Sequence, residues 1–169
     1  MEKVLIISDT HNNSNILKSV LALENDCSII FHLGDYYEDL DKCMDYISGK
    51  TIVRVSGTFH KGYRDGSVSA IKIYSVFNWK FLLVHDVNII SSKIQDVDII
   101  FHGHTHQAEL QRNNGRYFFN PGHLKQKFDR GSEASYGILE IYTDRLKFIV
   151  KNLKNHVIFK KVIKNMLEE

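Results

Sequence analysis

Val4-Leu5-Ile6-Ile7-Ser8-Asp9-Thr10-His11 decides the fold: four consecutive apolar residues, then a carboxylate and an imidazole two positions apart. A short unbroken apolar run bounded by polar residues is the pattern of a strand buried on both faces. Downstream, Ile16, Leu17, Val20, Leu21 and Leu23 recur at helical spacing, with Asn13 or Ser14 as N-cap, so a helix is expected over 15–23. A second buried strand follows over 28–33 and ends in Gly34-Asp35. Leu40, Met44 and Ile47 repeat the helical spacing over 39–47, which Gly49 closes. A third strand over 51–55 ends in Ser56-Gly57. This β-α-β-α-β alternation predicts a parallel α/β layer with right-handed crossovers.

The second half changes rhythm. Segments 69–76 and 79–84 flank Phe77-Asn78 and read as a hairpin, and 97–101 reads as another buried strand. Asn113-Asn114-Gly115 between 108–112 and 116–119 is a strong hairpin signal, because Asn and Gly accept positive φ. A last hairpin spans 137–142 and 146–150, and the tail from Asn155 reads as a strand followed by a frayed helix. A mixed sheet or a two-sheet sandwich flanked by helices fits this order, in one domain over 1–169 with 154–169 as a peripheral tail.

Composition narrows the function. The 169 residues are 43% hydrophobic and 25% charged, which is globular and excludes collagenous or disordered chains. A net charge of +2 gives no electrostatic case for a nucleic-acid polymer or an acidic membrane. The first apolar stretch is too short for a secretion signal, and no run approaches the roughly 20 residues that span a bilayer. Two cysteines, Cys27 and Cys43, make no disulfide framework, so the expected setting is reducing and cytoplasmic.

The polar residues collect where the strands end. Asp9 and His11 follow the first strand, Asp35 the second, and Gly57-Thr58-Phe59-His60 the third. His85-Asp86 ends the strand over 79–84, and Gly103-His104-Thr105-His106 follows the strand over 97–101. Parallel strands share one carboxyl edge, where ligand sites form in α/β sheets. Two carboxylates among several imidazoles repel or lose solvation unless positive charge joins them. Mixed oxygen and imidazole donors without thiolate suit Mn, Fe, Zn, Co or Ni rather than Mg or Ca. The donors suffice for two ions, the arrangement that clamps a phosphoryl oxygen in hydrolysis. Taken singly, Asp-x-His or Gly-Asp is ordinary turn chemistry; Gly-His-Thr-His is the most specific piece.

Ser8-Asp9-Thr10-His11, Leu33-Gly34-Asp35, Val55-Ser56-Gly57, Val84-His85 and Gly103-His104-Thr105-His106 resemble the motifs of the calcineurin-like metallophosphoesterase superfamily. Asn120-Pro121-Gly122 and Ala134-Ser135-Tyr136-Gly137 resemble its small bacterial and archaeal phosphodiesterase branch, which also contains Vps29. The resemblance implies a four-layer α/β/β/α sandwich with two mixed sheets. It implies Asp9, His11, Asp35 and His106 around a first metal, and Asp35, His85 and His104 around a second, with Asp35 bridging. It also implies hydrolysis of a small phosphodiester or phosphomonoester by a hydroxide held at two divalent ions, usually Mn.

Two departures qualify that expectation. The family's Gly-Asn becomes Gly57-Thr58, which puts a shorter hydroxyl at a position that normally ligates the second metal through an amide. The next position, an imidazole in some members, is Phe59, and His60 arrives one residue late as a candidate acid or ligand. The family's His-Gly-His is His85-Asp86-Val87. A weakened second site is expected, and His123 is a further candidate for phosphate contact. The alternative is a weak or inactive protein-binding scaffold of the Vps29 kind. Tyr36-Tyr37 is a candidate pocket wall or ordinary loop packing, Lys125, Lys127 and Arg130 form a solvated face or a phosphate-orienting cluster, and Tyr63, Phe128 and Tyr136 belong to a homo-oligomer surface or to the monomer core.

Overall fold

In the computed structural model, which describes residues 1–91 and 96–164, β1 (Glu2–Ile7) is apolar without a break from Val4 to Ile7, where both its faces are covered. Val4 and Ile6 join the core shared with a second sheet, while Leu5 and Ile7 pack under helices. α1 (Ser14–Leu23) supplies Leu17, Val20 and Leu21 to that helical side, and the Asn13 side chain caps it by accepting the Ile16 N–H at 3.2 Å. β2 (Ile29–His32) and β3 (Thr51–Arg54) extend the sheet in parallel, as the alternation predicts.

Between β2 and β3 the expected helix over 39–47 is instead a 3-10 segment, Tyr37–Cys43, passing into a short α2 (Met44–Ile47). Buried Asp39 accepts hydrogen bonds from Thr10 Oγ1 (2.7 Å) and the Asn12 N–H (2.8 Å), which ties this segment to the loop after β1. Leu40, Cys43 and Ile47 still face the core. A five-residue α3 (Lys61–Asp65) follows β3.

The second sheet comprises β4 (Ile71–Val76), β5 (Trp79–Val84), β6 (Ile99–Phe101), β7 (Ala108–Asn113) and β8 (Arg116–Pro121), in the order β4-β5-β6-β8-β7. Asn114 and Gly115 turn the β7–β8 hairpin with φ of 49° and 81°, both positive as the sequence requires. A two-strand ribbon of β9 (Phe128–Asp129) and β10 (Ser132–Glu133) follows. β11 (Ser135–Ile141), β12 (Arg145–Asn152) and β13 (Val157–Lys164) return to the first sheet, giving β13-β12-β11-β1-β2-β3. The helix expected in the tail falls largely outside the described residues.

Both sheets are mixed, and their shared core is aromatic. Phe31, Phe81, Phe101, Phe119 and Phe148 are fully buried and meet at ring separations of 5.1–6.3 Å, most of them edge to face. Such pairs add about 0.5–1.5 kcal/mol each beyond their buried area. The outer face of the second sheet, Leu82, Val84 and Ile100, is covered by Val87, Ile90, Val97 and Phe118. Among the described residues, the 3-10 turn Val87–Ile89 contributes to that layer.

Candidate metal centre

Parallel pairing of β1 with β2 places Asp9 beside Asp35: the Asp9 N–H donates to Gly34 O (3.0 Å), the Thr10 N–H to Asp35 O (3.3 Å). In the other sheet the parallel β5 and β6 bring His85 next to the Gly103–His106 loop through Gly103 N–H to His85 O (3.1 Å). The two halves are sewn together by the His104 N–H on Asp9 Oδ2 (3.1 Å) and by His85 Nδ1 on Leu33 O (2.8 Å). Glycine is required at these seams. A Cβ on Gly57 would collide with the Asp35 amide nitrogen and Oδ1, and one on Gly103 with Ser8 Oγ and Asp9 Oδ2.

Asp9, His11, Asn12, Asp35, Tyr36, His104 and His106 all have φ between 46° and 69°. They are seven of the eleven non-glycine residues with positive φ among those described. That region is sparsely populated and costs about 1–3 kcal/mol per residue, least for Asp, Asn and His. A buried network holds the conformation: Gly34 N–H donates to His32 Nδ1 (3.3 Å), and Thr10 Oγ1 lies between His32 Nε2 (3.5 Å) and Asp39 Oδ2 (2.7 Å).

The donors converge on one point. Asp9 Oδ1 lies 3.1 Å from His106 Nε2, 3.8 Å from His11 Nε2 and 4.0 Å from His85 Nε2. Asp35 Oδ2 lies 3.3 Å from His85 Nε2 and 3.8 Å from His11 Nε2. Asp9, His11 and His106 form one potential ligand group, and Asp9, Asp35 and His85 a second. Asp9 is thus common to both groups, while Asp35, the expected bridge, faces His11 and His85 together.

Tautomers sharpen this geometry. The Leu33 carbonyl can only accept, so His85 Nδ1 carries a hydrogen and Nε2 turns a lone pair toward Asp35. His106 Nδ1 likewise meets Asp129 Oδ2 at 2.6 Å, leaving a lone pair on Nε2 toward Asp9 Oδ1. With neutral imidazoles, acceptor faces acceptor at 3.1 and 3.3 Å. Asp9 Oδ1, His11 Nε2 and His85 Nε2 are moreover buried without a hydrogen-bond partner. Positive charge must enter here, as protons on the imidazoles or as a metal ion, and neighbouring ligands of an ion with bonds near 2.1 Å stand roughly 3.0–3.4 Å apart. The residues fit divalent metal.

The titration of the cluster records the same demand. Burial raises the Asp9 carboxyl, but the contacts with His106, His11 and His85 outweigh it and hold it far below the usual carboxylate range. Asp35 is also depressed, burial being outweighed by His85. His85 is raised, because Asp35 and Asp9 overcome the desolvation that would lower it. Burial, reinforced by the charges of Arg54 and His85 and opposed by Asp9 and Asp39, pushes His32 down to about 3.

The other expected residues divide between the cluster and its surroundings. Half-buried His104 puts its ring 5.2 Å from that of His85, at the edge of the cluster. Thr58 Oγ1 reaches only to 3.5 Å from Asp35 Oδ1. His60 faces away: its Nε2 meets Glu38 at 2.9 Å, its ring stacks on Tyr37, and its Nδ1 accepts the Gly62 N–H at the start of α3. Buried His123 stacks on His106 (5.1 Å), and its Nε2 lies 3.2 Å from Ser132 O. Its Nδ1 is buried without a partner. Tyr36 lies beside His11 (5.3 Å), whereas Tyr37 packs under Arg54. Lys125 and Arg130 serve Asp129, at 3.0 and 3.7 Å, and Arg130 also donates to His104 O.

One support has no signal in the sequence, Asp129 behind His106, while the Leu33 carbonyl behind His85 and Ser8 Oγ, which donates to Asp9 Oδ2 at 2.6 Å, belong to motifs whose supporting role the sequence does not show. Asn120 is visible there only as part of a motif. Its Nδ2 donates to Gly103 O (2.9 Å) and Thr105 Oγ1 (3.0 Å), fixing the His104–His106 loop.

Two face-to-face mixed sheets with a carboxylate–imidazole cluster at their shared strand ends define a protein of the metallophosphoesterase type. Residues 2–144 match the family profile of the calcineurin-like phosphoesterase superfamily domain. The chain belongs to that superfamily. Its fold is similar to a predicted phosphoesterase from Streptococcus pneumoniae TIGR4, at 21% identity, TM-score 0.72, and coverage of 97% of this chain and 98% of the other. It is likewise similar to YfcE, a phosphoesterase from E. coli (19% identity, 94% and 98% covered, TM-score 0.72). A third similar structure is Vps29 from Entamoeba histolytica complexed with zinc (23% identity, 96% and 98% covered, TM-score 0.72). Comparison with curated proteins gives no match. No helix among the described residues is long and apolar enough to cross a membrane.

Proposed function

We propose that this chain is a metal-dependent phosphoesterase, acting on small phosphodiesters in preference to monoesters, with two divalent ions. Mn is the first choice, with Ni, Zn, Fe and Co as alternatives. The observation that carries the reading is the convergence of His106 Nε2 on Asp9 Oδ1 and of His85 Nε2 on Asp35 Oδ2, at 3.1 and 3.3 Å, around Asp9 Oδ1, His11 Nε2 and His85 Nε2 that are buried without a hydrogen-bond partner. Bound divalent ions supply Lewis acidity and a water made nucleophilic at neutral pH.

Asp9, His11, Asp35 and His106 hold the first ion in this proposal, and Asp35, His85 and His104 the second. Thr58 completes the second set with a hydroxyl, so that ion binds more loosely. His123, whose Nε2 is engaged by the Ser132 carbonyl, keeps Nδ1 for a phosphate oxygen. His60 has no role in the proposal. A small substrate in the cytoplasm suits the net charge of +2 and two free, buried cysteines.

The test is hydrolysis of a chromogenic diester and the matching monoester with Mn, Ni, Mg or a chelator, alongside calorimetric metal titration. Turnover that needs the metal and favours the diester supports the reading, as does one tight and one loose ion. Tight metal binding with no turnover of either ester sinks it in favour of a scaffold. The open Thr58 side is what favours that second reading.

A further inference from the structure

Phe59 stands where a ligand-site loop meets solvent, and 59% of it is exposed. Its ring lies 6.0 Å from Tyr36, near parallel at 30°, and both rings border His11, at 5.5 and 5.3 Å. The two side chains come from the loops that carry the cluster. Tyr36 directly follows Asp35, and its carbonyl accepts from Thr10 Oγ1 at 3.0 Å. The Phe59 N–H donates to Asp35 Oδ1 at 3.3 Å. The backbone that carries each ring is therefore tied to the cluster. The exposed side of such a stacked pair offers a further planar group an aromatic surface.

We propose that Tyr36 and Phe59 form a shelf for a planar base, so that the substrates of this site are phosphate esters of nucleosides. The inference rests on the phosphoesterase reading for the place of the phosphate and adds the identity of the group esterified to it. An ester bound at ions that Asp9, Asp35 and His106 would hold lies near His11, which both rings border. Stacking on aromatic rings tolerates any base, so the shelf selects for a base over none rather than for one base over another. The near-neutral surface fits a mononucleoside ester, not a polymer whose phosphates need a basic track.

The test compares thymidine 5′-monophosphate with 2-deoxyribose 5-phosphate, in which an anomeric hydroxyl replaces the base, by calorimetry on the Mn-loaded protein. The nucleotide is expected to bind at least about tenfold more tightly, within the range that stacking of one base supplies. Phe59→Ala should cut that ratio below about threefold, and Phe59→Trp should keep it. A wild-type ratio near one, a ratio that survives Phe59→Ala, or no binding of either phosphate overturns the shelf. Absent ester hydrolysis with the ratio intact sinks the catalytic reading alone; hydrolysis with a ratio near one sinks the shelf alone.

Discussion

On the Asp9 side of the ligand cluster the donors are buried and held from behind. Ser8 Oγ and the His104 N–H fix Asp9 Oδ2, and Asp129, itself held by Lys125, fixes His106. On the Thr58 side the corresponding loop offers one hydroxyl at 3.5 Å from Asp35, an exposed Phe59, and a histidine turned toward Glu38. Both sides lie at the ends of parallel strands, so strand geometry does not explain the difference. The second layer of partners does, because a ligand side chain is only as well aimed as the group behind it.

The largest effect should come from Asp9→Ala, which removes the oxygen that faces three imidazoles. Calorimetry should show the tight ion weakened by more than about 100-fold, beyond the usual cost of losing a supporting residue. A tight ion that survives would mean the Asp9 side is not the built one. Asp129→Asn should weaken the same ion by about 10–100-fold, since His106 loses the carboxylate that sets its tautomer. No change in affinity would reduce Asp129 to a surface ion pair.

Acid should expose the asymmetry without any substitution. His32, beneath the Asp9 loop, has a folded pKa of about 3 against 6.5 for an unperturbed imidazole, so below pH 6.5 the unfolded chain takes up a proton that the fold refuses. Stability of the metal-free protein should fall from pH 6.5 toward pH 3, by up to about 1.4 kcal/mol per pH unit for this one group. His102 and His123, also lowered by burial, act in the same direction. His85 is raised, so its contribution is complete below pH 6.5 and is lost as pH rises through its folded value. Asp9 and Asp35 are depressed, so theirs is lost only below about pH 3.8. Urea midpoints between pH 7 and 4.5 would check this, and a flat profile would contradict it.

The smallest expected effect is a gain. Thr58→Asn extends the weak side toward the second ion and should tighten it by roughly tenfold, about 1.4 kcal/mol. An unchanged second affinity would show that the hydroxyl already completes the set.

The same contrast marks what the sequence can reveal. Strands buried on both faces and the Asn114-Gly115 turn are legible because periodicity and turn chemistry are local. The donors Asp9, Asp35, His85 and His106 are visible because each follows a strand. Asp129 is not, because it sits in a two-residue strand 23 positions after His106 and meets it only through folding. His60 misleads for a related reason: its place in the chain is near the cluster, but Glu38 and Tyr37 draw its ring away. The expected helix over 39–47 tightens into 3-10 geometry once Asp39 bonds to the first loop, a long-range contact that helical spacing does not contain.

The seven left-handed residues around the cluster carry a consequence for descent. The sheets do not need those conformations; the ligand set does. A lineage released from selection for chemistry gains stability by replacing such residues with glycine, while its aromatic core stays intact. Decay of the site is then a downhill walk that leaves the scaffold whole.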